Sequence, residues 1–202
     1  MKRIPSYRLF LFNVTAILAL VIGTAVVSLA QAHPSTPVTK IKNFGQMNDR
    51  FFRGGQPKEK EYKDLAAMGV HTIIDLRDDP ESYEKPNAEA LGMTYVNIPM
   101  SDKDYPKSDQ ITAFLKLVDD PATGKFYVHC AGGRHRTGVM GAVYRFTHDK
   151  WNYDQAYAEM KQYDFYTRFG HGAMKKYVED YWQQMQSAPT PAATAGAASP
   201  KK

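Results

Sequence analysis

The stretch Phe126-Tyr127-Val128-His129-Cys130-Ala131-Gly132-Gly133-Arg134-His135-Arg136-Thr137-Gly138 decides how this chain is read. An apolar run closes at Val128, a glycine-bearing loop follows, and a helix-like run extends from Val139 to Thr147. Strand, tight loop and helix in that order leave a row of backbone N–H groups at a helix N-terminus, where an anion is favoured. Gly132, Gly133 and Gly138 allow turns and close approaches that a Cβ would block, and successive inward N–H groups make an anion-binding nest. Cys130, the only cysteine of the chain, stands at the mouth of that nest, in a field that lowers a thiol pKa and favours the nucleophilic thiolate. Arg136 can return to the loop and offer its planar fork to two oxygens of one phosphate, and Thr137 can hydrogen-bond the sulfur. A cysteine, an anion cradle and an arginine together suggest phosphoryl transfer through a phosphocysteine intermediate.

Cys130, five further residues, then Arg136-Thr137-Gly138, preceded by His129, resembles the signature of the cysteine-dependent protein tyrosine phosphatases. The ending Arg134-His135-Arg136-Thr137-Gly138 is most similar to the atypical dual-specificity phosphatases of plants and fungi and their bacterial relatives. The likeness reaches upstream to Asn43-Phe44 and Phe52-Arg53-Gly54-Gly55-Gln56-Pro57 and covers roughly residues 41 to 182. It implies Cys130 as nucleophile, Arg136 as phosphate clamp, and a substrate loop of Ala131, Gly132, Gly133, Arg134, His135, Arg136 and Thr137, with no cofactor. A rhodanese-like sulfurtransferase also sets a cysteine in an anion loop, but the Arg136-Thr137-Gly138 ending fits a phosphatase better.

Expelling an alkoxide from a phosphoester calls for a proton, so an acid should face the cysteine. In the family that acid is an aspartate on a loop after a strand, some thirty residues before the cysteine. Asp102, in Ile98-Pro99-Met100-Ser101-Asp102 and 28 residues before Cys130, is the expected acid, with Asp104 as its rival.

Outward from the loop, strand and helix patterns alternate. Strands are expected in the segment 44–57 as a short pair, over His71–Leu76 and Thr94–Ile98, and before Cys130. Helices are expected over Lys58–Met68 and Asn87–Leu91, stopped by Gly69 and Gly92, then over Ser108–Val118 with Ser108 or Asp109 as N-cap. Val139–Thr147, Asp154–Tyr163 and Ala173–Met185 follow, separated by an aromatic loop, Asp164–Gly172. Alternation of this kind predicts an α/β domain with a central, mainly parallel sheet of four to five strands flanked by helices. Ligands of such sheets bind beyond the carboxyl ends of the strands, which is where Cys130 falls.

Two side chains carry two readings each. His129 could brace the loop or be a satisfied core histidine. Arg53 could point at the site or serve the fold. Asp75 and Arg77 read as structural hydrogen-bonding residues. His129, Cys130 and His135 lack zinc-site spacing, so no metal is expected.

Arg134 and His135 form a basic pair that would draw a substrate with more than one phosphate, which hints at inositol polyphosphates or pyrophosphates. Phosphotyrosine or phosphoserine proteins are the other substrate class the resemblance implies. The reading from a different class is an exported pseudophosphatase that captures phosphorylated ligands without turnover.

The formal charge of +5 arises at the ends of the chain. Without Lys2, Arg3, Arg8, Lys201 and Lys202, the 26 basic residues become 21, equal to the 21 acidic ones, so nothing argues for nucleic acid. Residues 1–32 read as a signal peptide: a basic start, an uncharged and largely apolar run over residues 9–29, and the small-x-small site Ala30-Gln31-Ala32. An uncleaved membrane anchor is the alternative. Either way the domain is expected to be exported, to a bacterial periplasm or the exterior. Residues 33–40 read as linker, 41–186 as the phosphatase domain, and 187–202, rich in alanine, proline and threonine, as a disordered tail.

Overall fold

A computed structural model of the protein describes residues 39–187. The expected signal segment, most of the linker and all but the first residue of the tail lie outside the described residues. Ser187, assigned above to the tail, is instead the last residue of a helix.

Five strands form one sheet: β1 (Gly45–Gln46), β2 (Phe51–Gly54), β3 (Val70–Arg77), β4 (Thr94–Met100) and β5 (Lys125–His129). Their spatial order is β1-β2-β5-β3-β4. Only β1 runs antiparallel; β2, β3, β4 and β5 are mutually parallel, as the alternation implied. The central strand is β5, and Phe126, Tyr127, Val128 and His129 are fully buried. A strand covered on both faces reads as an unbroken apolar run, which explains why Phe126-Tyr127-Val128 shows no alternation.

Six α-helices cover the sheet: α1 (Tyr62–Ala67), α2 (Glu84–Ala90), α3 (Ser108–Asp119), α4 (Arg136–Thr147), α5 (Tyr153–Gln162) and α6 (Gly172–Ser187). One core joins α3, α4, α5 and α6 to the sheet through Ile74, Val128, Phe114, Val143, Met160 and Val178. A second packs Tyr62, Leu65, Ala88 and Tyr127 on the opposite face. Each fully buried aliphatic or aromatic side chain contributes about 1.5–3 kcal/mol of burial free energy. Helix α4 is buried on all sides, so it shows little amphipathic pattern.

Several boundaries differ from expectation: α1 is shortened to Tyr62–Ala67 after a 3-10 turn at Glu59–Glu61, and α4 already begins at Arg136. Three more have local causes. Helix α2 starts at Glu84, because Pro86 falls in the first turn, where its missing N–H breaks no intrahelical bond. Strand β4 runs on through Met100, so the loop that carries Asp102 is shorter. Helix α3 is not capped by Ser108 or Asp109: Lys107 is the N-cap, and the Gln110 side chain accepts the Lys107 amide at 2.8 Å.

Candidate active site

The loop from Cys130 to His135 joins the carboxyl end of β5 to the first turn of α4, so the helix N-terminus faces it. Three successive loop carbonyls are drawn outward by donors from the β1–β2 region. Gln56 N donates to the Ala131 carbonyl at 3.3 Å. Asn43 Nδ2 donates to the Gly132 carbonyl at 2.8 Å, and Arg53 Nη2 to the Gly133 carbonyl at 2.7 Å. Among the described residues, no backbone carbonyl accepts from the amides of residues 131–136. Carbonyls fastened to the outside with amides left over is the arrangement an anion nest needs. Gly133 makes the turn possible: its φ is +65°, and a Cβ there would stand 2.4 Å from the Gly54 carbonyl carbon.

Cys130 is buried and is a free thiol. Burial alone would push its pKa up. The hydroxyl and amide of Thr137, the Gly132 amide and the Arg136 charge more than cancel that, and the thiol lies below its ordinary value. The buried Thr137 hydroxyl is foremost among the groups that lower the thiol pKa. Arg136 is held by one nitrogen: Nη1 donates to Asp78 Oδ1 at 2.9 Å and to the Met100 carbonyl at 3.0 Å. Its Nε and Nη2 have no protein partner among the described residues.

A cavity of about 170 Å³ opens over the sulfur, walled by the loop, Arg136, Asp102, Tyr166 and His171. Asp102 therefore shares a cavity with Cys130. Asp104 does not: it lines a separate one with Asp78, Tyr105 and Lys107. A larger cleft of about 390 Å³ at the α5–α6 side, lined by Tyr153, Asp154, Glu179 and Trp182, offers acids but neither cysteine nor arginine.

The aromatic loop between α5 and α6 supplies the far wall, which the sequence alone did not reveal. The His171 imidazole sits at 2.7 Å from the Asp102 carbonyl oxygen through Nδ1, and it stacks on His135. His135 Nε2 lies 3.1 Å from the Tyr166 carbonyl. Burial and the adjacent His171 pull the His135 pKa down to about 4, so it is neutral at pH 7. Arg134, at the rim, pairs with Asp164 at 3.7 Å and lies over the Tyr166 ring.

His129 does not brace the loop through its ring. It is fully buried on the other side, with Nε2 at 3.0 Å from Glu84 Oε2 and Nδ1 at 3.7 Å from Asp75 Oδ1. Ligand atoms of Asp75, Glu84 and His129 all lie within 4.8 Å of one another, the one convergence of metal-type side chains among the described residues. Each carboxylate already accepts a phenol hydroxyl: Tyr62 donates to Glu84 and Tyr95 to Asp75, each at 2.8 Å. The imidazole thus faces two buried carboxylates that each hold a phenol. Burial holds the Asp75 pKa up against the pull of His129, whereas for Glu84 the effect of burial is outweighed by its bonds, that from His129 foremost, and its pKa lies low. Asp75 also accepts the Arg77 amide, and Arg77 reaches Gln56, Asp79 and Glu81, the structural role expected of both.

Residues 26–179 match the family described as DSP-PTPase phosphatase fused to NAD+ kinase. The chain is 27% identical over 127 residues to the probable tyrosine-protein phosphatase DG1060 of Dictyostelium discoideum, covering 60% of this chain and 75% of that protein. It is 26% identical over 129 residues to inositol diphosphatase DSP2 of Oryza sativa subsp. japonica, covering 60% and 61%. It is 33% identical over 96 residues to chloroplastic NAD kinase 2 of Arabidopsis thaliana, covering 45% of this chain but 10% of that protein. The core catalytic domain of the PP-IP phosphatase SIW14 from S. cerevisiae superposes with a TM-score of 0.60 at 20% identity, over 74% of this chain and 94% of that one. TpbA of P. aeruginosa does so with 0.59 at 19% identity, over 69% and 84%. Both likenesses establish a common fold.

Proposed function

The chain belongs to the DSP-PTPase phosphatase family, and from that premise we propose that it hydrolyses phosphate monoesters through a phosphocysteine intermediate. The Cys130 thiolate attacks phosphorus in line, forming an S–P bond as the P–O bond to the leaving group breaks. Asp102 gives its proton to the departing oxygen. The resulting carboxylate then takes a proton from water, whose oxygen displaces the sulfur and releases inorganic phosphate. Loop amides and the free edge of Arg136 hold the equatorial oxygens, where charge accumulates, and Thr137 supports the sulfur as nucleophile and leaving group. The observation that carries this reading is a thiol pKa held below its ordinary value at the base of the cavity that Arg136 and Asp102 line.

The substrates we propose are phosphotyrosine or phosphoserine proteins, or inositol polyphosphates and pyrophosphates. Relatives named as a tyrosine-protein phosphatase and an inositol diphosphatase support both classes. Arg134 at the rim favours a substrate with a second phosphate. Aryl phosphate turnover by wild type and Cys130→Ser tests the chemistry: the variant should lose turnover and keep binding phosphate. A wild type that binds phosphate but never turns over an ester would be the capture module instead.

We propose further that the domain is exported, supported by the basic start, the apolar run over residues 9–29 and Ala30-Gln31-Ala32. Cell fractionation with N-terminal sequencing tests this. A mature chain starting at His33 is expected; an intact N-terminus in the membrane fraction indicates an anchor, and a cytoplasmic chain refutes export.

A further inference from the structure

Arg53 is 0% exposed. Its one hydrogen bond goes to the Gly133 carbonyl; Nε and Nη1 are buried without partners. Among the described residues it has no carboxylate partner. Glu159, whose field reaches it, is bonded to Arg145. The Tyr163 ring covers the guanidinium at 4.0 Å. Gly141 of α4 leaves room for it, since a Cβ there would lie 3.4 Å from Nη1. A neutral side chain could hold a carbonyl as well. Burying an unpaired charge is costly and needs a counter-charge.

The register sets a titratable group on the same face of the sheet as Arg53. Arg53 pairs with Val128 across β2 and β5, and side chains alternate along a strand. Arg53, Val128 and Cys130 thus share the face beneath α4, whereas His129 lies on the other. Burial pulls the guanidinium pKa down; Tyr163, Glu159, Cys130 and Tyr127 are the groups whose charge opposes this. Tyr127 is buried and its phenol is pushed well up, which keeps it neutral.

We propose that Arg53 is a positioning residue and the second cation of this site: it fastens the phosphate loop through Gly133, and its charge is balanced by the Cys130 thiolate at rest and by the phosphate when one is bound. The inference rests on the phosphatase reading, because it needs Cys130 ionised. Arg53 touches no substrate; it acts through the sulfur and the loop. Removing its charge makes the thiolate harder to form, while removing only its donor would disturb the loop.

The test is the pH dependence of Cys130 alkylation by iodoacetamide in wild type, Arg53→Gln and Arg53→Lys. Gln keeps a donor without the charge; Lys keeps the charge. A rise of about one pKa unit in the Gln variant is expected, hence about tenfold slower alkylation at pH values below the thiol pKa of both proteins, with the Lys variant nearer wild type. A folded Gln variant with the wild-type thiol pKa overturns the proposal. An ordinary thiol pKa in wild type instead overturns the phosphatase reading itself. Should Arg53→Gln not fold, Arg53→Met is read the same way. If neither folds, wild type is melted against Cys130→Ser across pH. The stability advantage of the wild type should then shrink as pH falls through the thiol pKa, because the lowered folded-state value makes the thiolate contribution vanish there. A difference independent of pH means an ordinary thiol pKa, which overturns the phosphatase reading and the proposal with it.

Discussion

The imidazoles of His135 and His171 lie face to face, ring centroids 3.6 Å apart and 10° from parallel. One belongs to the phosphate loop; the other anchors the backbone of Asp102. The stack therefore ties the loop of Cys130 to the loop of Asp102 through a third segment. His171→Ala should lower kcat for an aryl phosphate about 10-fold with little change in KM, since misplacing the acid affects the chemical step more than phosphate binding. The alkylation rate of Cys130 should not change. A folded variant with wild-type kcat would sink this role.

The same stack has a pH consequence. His135 is neutral in the folded protein with a pKa near 4, against about 6.5 unfolded. It faces His171, Arg134, Asp102 and the Tyr166 carbonyl. Between these values the unfolded chain binds more protons, so stability should fall as pH drops from 7 toward 4 and level off below that. The loss is about 2 kcal/mol once partial exposure is allowed for. Urea midpoints at pH 7 and 4.5 for wild type and His135→Gln check this; equal slopes with pH in the two proteins would show that another group is responsible.

Asp102 and Asp104 separate cleanly by place, since only Asp102 shares the cavity with Cys130. Asp102→Asn should lower kcat about 100-fold or more for a poor leaving group. Asp104→Asn should stay within about 3-fold, the range of exposed substitutions without a special contact. The reverse pattern in steady-state kinetics would move the acid to Asp104.

Neighbouring glycines of the loop are not equivalent. At Gly133 a methyl meets the Gly54 backbone at 2.4 Å with φ at +65°; at Gly132 the nearest atoms, in the Arg134 side chain, are 3.8 Å away. Gly133→Ala should cost about 3 kcal/mol of stability and most activity. Gly132→Ala should fold with near wild-type stability. Comparable urea midpoints for the two variants would contradict this.

Much of this protein was legible before any coordinates, and what was legible is local. The thirteen residues from Phe126 to Gly138 contain strand, nest, nucleophile and arginine, and such spacing is set by covalent geometry and a helix turn. The parallel sheet followed from alternating strands and helices, as did the place of Cys130 at a strand's carboxyl end. What holds the loop open was not legible in that way. Asn43 and Arg53 reach Gly132 and Gly133 across 89 and 80 residues, and His171 reaches Asp102 across 69. Asp78, Glu84 and His171 look like ordinary polar residues in sequence, because nothing in their own neighbours records which strand lies beside them. Strand order and register determine that, and only packing of the two cores on the sheet decides them. Sequence alone thus determined which atoms can do the chemistry; tertiary structure decided which distant side chains aim, charge and fasten them.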